Sequence, residues 1–225
     1  MPTRNKKAMF ASAFLTCACS FVLLCLVLGT QQWVSSFVEF SGVNSVRVKL
    51  SYGLFQGTCG QLVEGGLEFS EQPFQVAENL SSPRTRSTNT AIIVMLVLSL
   101  LSSLLSSGVT CTNAVSNPYQ TFLGPIGVYT WNSLCGILVL VAMILFPVNI
   151  EAHELSVELA QRCSSLQTHV GSQHSYGYSY WIMLLIILLN IASIVITYFY
   201  DHAKYYEKKQ QERPIEVAPK DVILF

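Results

Sequence analysis

The stretch Ala8-Met9-Phe10-Ala11-Ser12-Ala13-Phe14-Leu15-Thr16-Cys17-Ala18-Cys19-Ser20-Phe21-Val22-Leu23-Leu24-Cys25-Leu26-Val27-Leu28 decides the fold. It carries no charge, and at 1.5 Å per residue about 20 apolar residues cover a hydrocarbon core roughly 30 Å thick. Arg4, Lys6 and Lys7 precede it, so a cleaved signal peptide competes with a first membrane span. The apolar run exceeds the roughly 7–15 residues of a signal core. The residues just beyond it, Gly29-Thr30-Gln31-Gln32-Trp33, offer no small-x-small cleavage site. The segment reads as a retained helix.

Three more such blocks occur, at about 90–111, 126–148 and 180–200, the last reading YWIMLLIILLNIASIVITYFY. The chain is 51% hydrophobic but only 12% charged, with a mean hydropathy of +0.45. About a quarter charged is usual for a soluble domain. The expected fold is an all-α transmembrane four-helix bundle, a single tetraspan domain covering 1–225. Thirteen basic residues balance thirteen acidic ones, with no basic stripe for nucleic acid.

Four spans put both termini on one side. The basic residues Arg4, Lys6, Lys7, Lys204, Lys208 and Lys209 flank the outer spans, whereas the long first connection weighs little in the positive-inside rule. Segments 1–7, 112–125 and 201–225 are therefore expected in the cytoplasm, and loops 29–89 and 149–179 outside. Asn79-Leu80-Ser81 agrees, being the only sequon with a permitted middle residue and lying in the first external loop. Asn79 is the candidate glycosylation site.

That first loop is no simple linker. Val46, Val48, Leu50 and Tyr52 alternate with Arg47, Lys49 and Ser51, which is the period of a half-buried strand. Trp33 to Phe40 is rich in aromatic and β-branched residues, and Gly42-Val43-Asn44 supplies a turn between the two runs. A small extracellular antiparallel β-sheet in this loop is expected, with 73–89 read as Ser/Pro/Asn-rich loop. The second loop starts helically around Leu155 and Leu159 and ends in a polar stretch, His169 to Tyr178. Tyr176, Tyr178, Tyr180 and Trp181 read as interfacial anchors.

Charged residues are absent from all four blocks, which disfavours a pump or transporter, because translocation is usually driven through ionisable groups. Ser99, Ser103 and Ser107 lie four apart, a spacing at which helix backbones approach closely. Packing within the bundle is the preferred reading of this face, and a homo-oligomer contact the other. Asn190 in mid-span must find a partner and should face the bundle.

Of seven cysteines, only Cys59 and Cys163 fall in polar segments, and both lie in oxidising space under the orientation above. They are the candidate disulfide, with free thiols or an intermolecular bridge as alternatives. No C-x-x-C pair occurs and the histidines lack a matching ligand set, so no metal site or cofactor is expected. Nothing pairs the histidines or glutamates with a nucleophile, so no enzyme is expected either. The chain ends Val222-Ile223-Leu224-Phe225. Such an end fits a PDZ groove, where Phe225 fills the terminal pocket and Ile223 the pocket two residues back, and backbone amides take the carboxylate. A tail lying against the bilayer is the alternative.

Several segments together resemble the clarins over nearly the whole length. They are Leu28-Gly29-Thr30 with Trp33 beyond, Tyr52-Gly53-Leu54-Phe55, Asn117 to Pro125 with Gly127 and Tyr129, and His174 to Ser179. The wider claudin and peripheral-myelin tetraspan group has a Trp, a Gly-Leu-Trp and two cysteines in the first loop. Here Trp33, Gly53-Leu54-Phe55 and Cys59 match, and no second cysteine occurs before Cys111. The resemblance implies a plasma-membrane tetraspan that organises or scaffolds membrane partners, with links to cytoskeleton or sensory cells. An auxiliary subunit of a channel or receptor is the runner-up, and a channel or transporter itself comes third.

Overall fold

The computed structural model describes residues 3–41, 46–63, 67–68, 71–115, 124–165 and 168–212. Four helices are long and apolar enough to cross a bilayer: α1 (Thr3–Gly29), α3 (Pro83–Val115), α4 (Pro125–Glu151) and α6 (Tyr178–Glu212). The chain is a multi-pass membrane protein. Each long helix packs on two neighbours, giving the ring α1–α3–α4–α6. At 33 residues, α3 is about 50 Å long, so it outreaches a hydrocarbon core of roughly 30 Å.

The bundle is apolar outside, and inside it buried hydroxyl and amide side chains stand among apolar ones such as Leu24, Leu96, Val139, Phe146 and Ile186. On α3, Ser99, Ser102, Ser103, Ser106, Thr110 and Asn113 are buried, while Val97, Leu98, Leu101, Leu104 and Leu105 are exposed. In a bilayer this inversion costs nothing at the surface, because lipid tails are as apolar as leucine. Small hydroxyl residues inside let the backbones close up.

At one end of the bundle sits a six-stranded antiparallel sheet. Five strands come from the connection between α1 and α3: β1 (Val34–Phe40), β2 (Val46–Tyr52), β3 (Gln56–Val63), β4 (Leu67–Glu68) and β5 (Gln72–Gln75). Along it the order is β4-β3-β2-β1-β6, with β5 also on β3, where β6 is His169–Tyr176 from the later connection. The inward face follows the alternation, since Val48, Leu50 and Tyr52 are buried and Val46 is half-buried. The turn expected at Gly42–Asn44 lies outside the described residues.

Two departures from the sequence reading have tertiary causes. Segment 73–89 is not loop, because it holds the end of β5, the short α2 (Val76–Asn79) and the first two turns of α3. Pro83 opens α3 with its φ preset for a helix, and Glu158 of α5 (Leu155–Ser164) accepts hydrogen bonds from the amides of Ser81 and Ser82 just before it. The polar run His169–Tyr176 becomes β6 because β1 offers it a free edge over the register Val34↔Tyr176 to Phe40↔His169. Of the four aromatics expected at the interface, Tyr178 and Trp181 are exposed, while the rings of Tyr176 and Tyr180 turn together with centroids 4.7 Å apart.

Candidate functional site

The sheet is fastened to the bundle at the start of β1. Trp33 is fully buried, its Nε1 donates to the Val27 carbonyl at the end of α1 (2.9 Å), and its ring lies 4.8 Å from that of Phe146 on α4. Two glycines permit the close approach. A Cβ on Gly53 would overlap the Thr30 carbonyl oxygen, and one on Gly177 the Gln32 carbonyl oxygen. Gly53 also donates its N–H to the Gln56 carbonyl (2.9 Å), turning β2 into β3.

A second fastening runs through α5. Cys59 of β3 and Cys163 in the last turn of α5 are joined by a disulfide, their Cα atoms 6.6 Å apart. Gln61 Nε2 reinforces it by donating to the Cys163 carbonyl (3.2 Å). Leu155, Val157 and Leu159 bury the inner face of α5 in the common core. Its outer residues Glu158 and Arg162 reach Ser81, the third residue of the sequon. Asn79 is half-exposed and its Nδ2 donates to the Gln75 carbonyl (2.8 Å).

Under α5 lies a buried polar series. Tyr52 Oη is 2.5 Å from Ser156 Oγ, which is 2.9 Å from Ser36 Oγ, which is 2.8 Å from His174 Nδ1. Burial pushes the Tyr52 hydroxyl well above the ordinary phenol range, partly offset by the hydroxyls of Ser156 and Ser36. Tyr52 therefore stays a donor at any physiological pH, and a folded state holding it neutral loses stability as pH climbs through its unfolded value of about 10.

In the membrane region all four long helices meet at one point. Cys17 Sγ of α1 lies 3.4 Å from Ser106 Oγ of α3, 3.5 Å from Asn132 Oδ1 of α4 and 3.3 Å from Ser193 Oγ of α6. Asn132 Nδ2 bridges Ser106 (2.8 Å) and Ser193 (3.3 Å). Nearby, Asn190, 2% exposed, donates to Ser20 Oγ (3.1 Å) and the Ile186 carbonyl (2.8 Å), and its Oδ1 has no hydrogen-bond partner among the described residues. Ser99, Ser103 and Ser107 are buried in the same interior, with Ser103 Oγ donating to the Cys17 carbonyl (3.3 Å).

Facing away from this core, the sheet presents Phe37 at 40% exposure, flanked across the register by Lys49 on β2 and Gln173 on β6. Around it are the Glu39–Arg47 pair (2.7 Å) and the Lys49–Glu71 pair (3.5 Å). Ile223 and Phe225 lie outside the described residues.

Sequence reasoning missed Asn132, Cys17 and Ser193 as one cluster, and Ser36, Ser156 and His174 as another. Asn132 carried the signal used for Asn190, an amide within an apolar block, but stood near the block's polar start beside Trp131 and Ser133.

The profile of the family described as Clarin-2-like matches residues 5–196. Human Clarin-3 is 46% identical over all of this chain and all of its own length. Human Clarin-2 is 27% identical, covering 87% of this chain and 88% of its own, and human Clarin-1 is 24% identical, covering 81% and 83%.

Proposed function

Since the chain belongs to the clarin family, we propose that it is a non-catalytic plasma-membrane organiser that gathers protein partners through its sheet. The carrying observation is that the sheet is tied to the bundle at Trp33 and to α5 by the Cys59–Cys163 link, while displaying Phe37 outward beside two ion pairs. An exposed aromatic on a rigid support, with a polar rim, is the composition of a recognition patch. The bundle interior supports the same reading over a conduit, because Cys17, Ser106, Asn132 and Ser193 bond one another where the four helices meet.

In this proposal both termini are cytoplasmic and the sheet is extracellular, which places Asn79 in the glycosylating compartment and Ile223 and Phe225 within reach of PDZ scaffolds. Tags at either terminus should be hidden from antibody on intact cells, and one at Gly65-Gly66 stained. A cross-linked pull-down from cells tests the organising role. Phe37→Asp should remove specific partners while the amount at the surface stays the same. An unchanged partner list refutes the patch. Recovery of channel or receptor subunits that require Phe37 points instead to the auxiliary-subunit reading.

A further inference from the structure

The series Tyr52–Ser156–Ser36–His174 joins four elements, β2, α5, β1 and β6, and only its last member is open to water. Tyr52, Ser156 and Ser36 are fully buried, while His174 is half-buried beside its register partner Ser36. Three contacts need three hydrogens. With a neutral imidazole whose proton is on Nε2, Tyr52 donates to Ser156, Ser156 to Ser36, and Ser36 to the Nδ1 lone pair, so every hydroxyl hydrogen is used. A proton on Nδ1 makes four hydrogens for the same three contacts. The series must then reverse, and the surplus hydrogen falls on Tyr52, at the deepest position, where a buried unsatisfied donor is costly.

We propose that protonation of His174 unseats the first turn of α5 from the sheet, making this contact a pH-sensitive latch. Ser156 is the one member on α5, and the others are held in paired strands. What gives is therefore the α5 end. That end is also strained, because Glu154, just before α5, has φ 52°, a left-handed backbone unfavourable for a residue with a side chain. The far end stays tethered through Cys163. The imidazole is the side chain whose ordinary titration spans the mildly acidic range.

Other titratable groups face the same place. They are Tyr52 from β2, Tyr176 on β6 itself, Tyr180 from α6 against Tyr176, and Glu151 at the end of α4, whose charge acts on both Tyr52 and Tyr176. From β1 the nearest carboxylate, Glu39, is on the opposite face, paired with Arg47. On α5, Glu158 is committed to Ser81 and Ser82, and Glu154 is at the N-cap. His153 at the α4–α5 junction is the rival sensor, with its Nδ1 3.1 Å from Asn149 Oδ1 and 3.4 Å from Thr88 Oγ1.

The test is hydrogen exchange on the purified full-length protein in nanodiscs at pH 7.5 and 5.5, with exchange times scaled for the intrinsic rate. It does not depend on the orientation or partners proposed above. Peptides covering 155–160 should lose roughly ten-fold in protection at pH 5.5, the size expected for one stranded buried donor. His174→Gln should give the same protection at both values, and His153→Gln should retain the wild-type response. Ser156→Ala keeps the imidazole but cuts its link to α5, so its protection should also be independent of pH; this variant decides should His174→Gln fail to fold. Equal wild-type protection at the two values overturns the proposal. So does a response that survives in His174→Gln or Ser156→Ala, or one that disappears in His153→Gln.

Discussion

Replacing Cys59 and Cys163 together by serine removes the covalent tie between β3 and α5, and the structure sets the size of the effect. The two residues are 104 apart in sequence, and a closed loop of that length restrains an unfolded chain by about 4.7 kcal/mol. The intervening chain is not free, however, because α3 and α4 satisfy their backbone bonds internally and remain helical in the bilayer when the sheet unfolds. Only the stretches from Gly60 to Ser82 and from Ala152 to Arg162 gain freedom, roughly 35 residues, for which the same relation gives about 3.8 kcal/mol. At about 1.4 kcal/mol per factor of ten, that is a loss of several hundred-fold in protection against exchange. Native-state exchange on the double variant should show this loss in β1–β3 and α5 but not in the central turns of α1, α3, α4 and α6. A loss nearer three thousand-fold would mean that the whole intervening chain is released. A loss below ten-fold refutes the reasoning, as does recovery of both cysteines alkylated from unreduced wild-type protein.

Four further outcomes are expected. Trp33→Ala should destabilise the junction by about 3–5 kcal/mol, the range for deleting a buried large aromatic, and Trp33→Phe by about 1 kcal/mol through the lost bond to Val27; thermal unfolding in detergent ranks the two, and a reversed order contradicts the account. Asn132→Leu should cost more than Asn190→Leu, because Asn132 bridges two helices whereas Asn190 keeps an unpartnered oxygen; bonds of this kind average about 0.6 kcal/mol in a membrane, so the gap should be near 1 kcal/mol by unfolding in mixed micelles. Asn79→Gln should abolish the mobility shift produced by an N-glycan-removing enzyme, and a shift that persists would place glycosylation elsewhere. Deleting Phe225 should strip PDZ-containing scaffolds from a pull-down without altering the membrane pool; a tail peptide that binds no PDZ domain on a broad array ends that idea.

The parts legible in the sequence were those whose physics is local. An uncharged run such as Gly136–Phe146 reads as a span because the bilayer demands length and apolarity of that segment alone. Val46–Tyr52 reads as a strand because its own alternation divides a wet face from a dry one. His169–Tyr176 has no such pattern, and it is ordered only because β1 lies beside it with a free edge. The same difference separates the two sets of site residues. Cys59 and Cys163 could be paired by compartment, since the other five cysteines sit in or beside apolar blocks. Ser36 and Ser156 could not, being common residues 120 positions apart whose role depends on the sheet folding over α5.

Hydropathy also locates spans without saying which way they turn. Apart from the serine face of α3, each apolar block is greasy on nearly all sides, so no one face stands out as the inner one. The inward direction is marked instead by the few groups that need a partner, one from each helix at the crossing: Cys17, Ser106, Asn132 and Ser193. Each of these contacts is weak, but the alternative for each group is hydrocarbon, so together they select one rotation for every helix. That rotation sets where α1 ends and α4 presents Phe146, hence where Trp33 can dock and how the sheet stands on the bundle. A substitution inside the bundle, Asn132→Leu above all, should thus be felt at Trp33 and in the attachment of the sheet before it unravels any span.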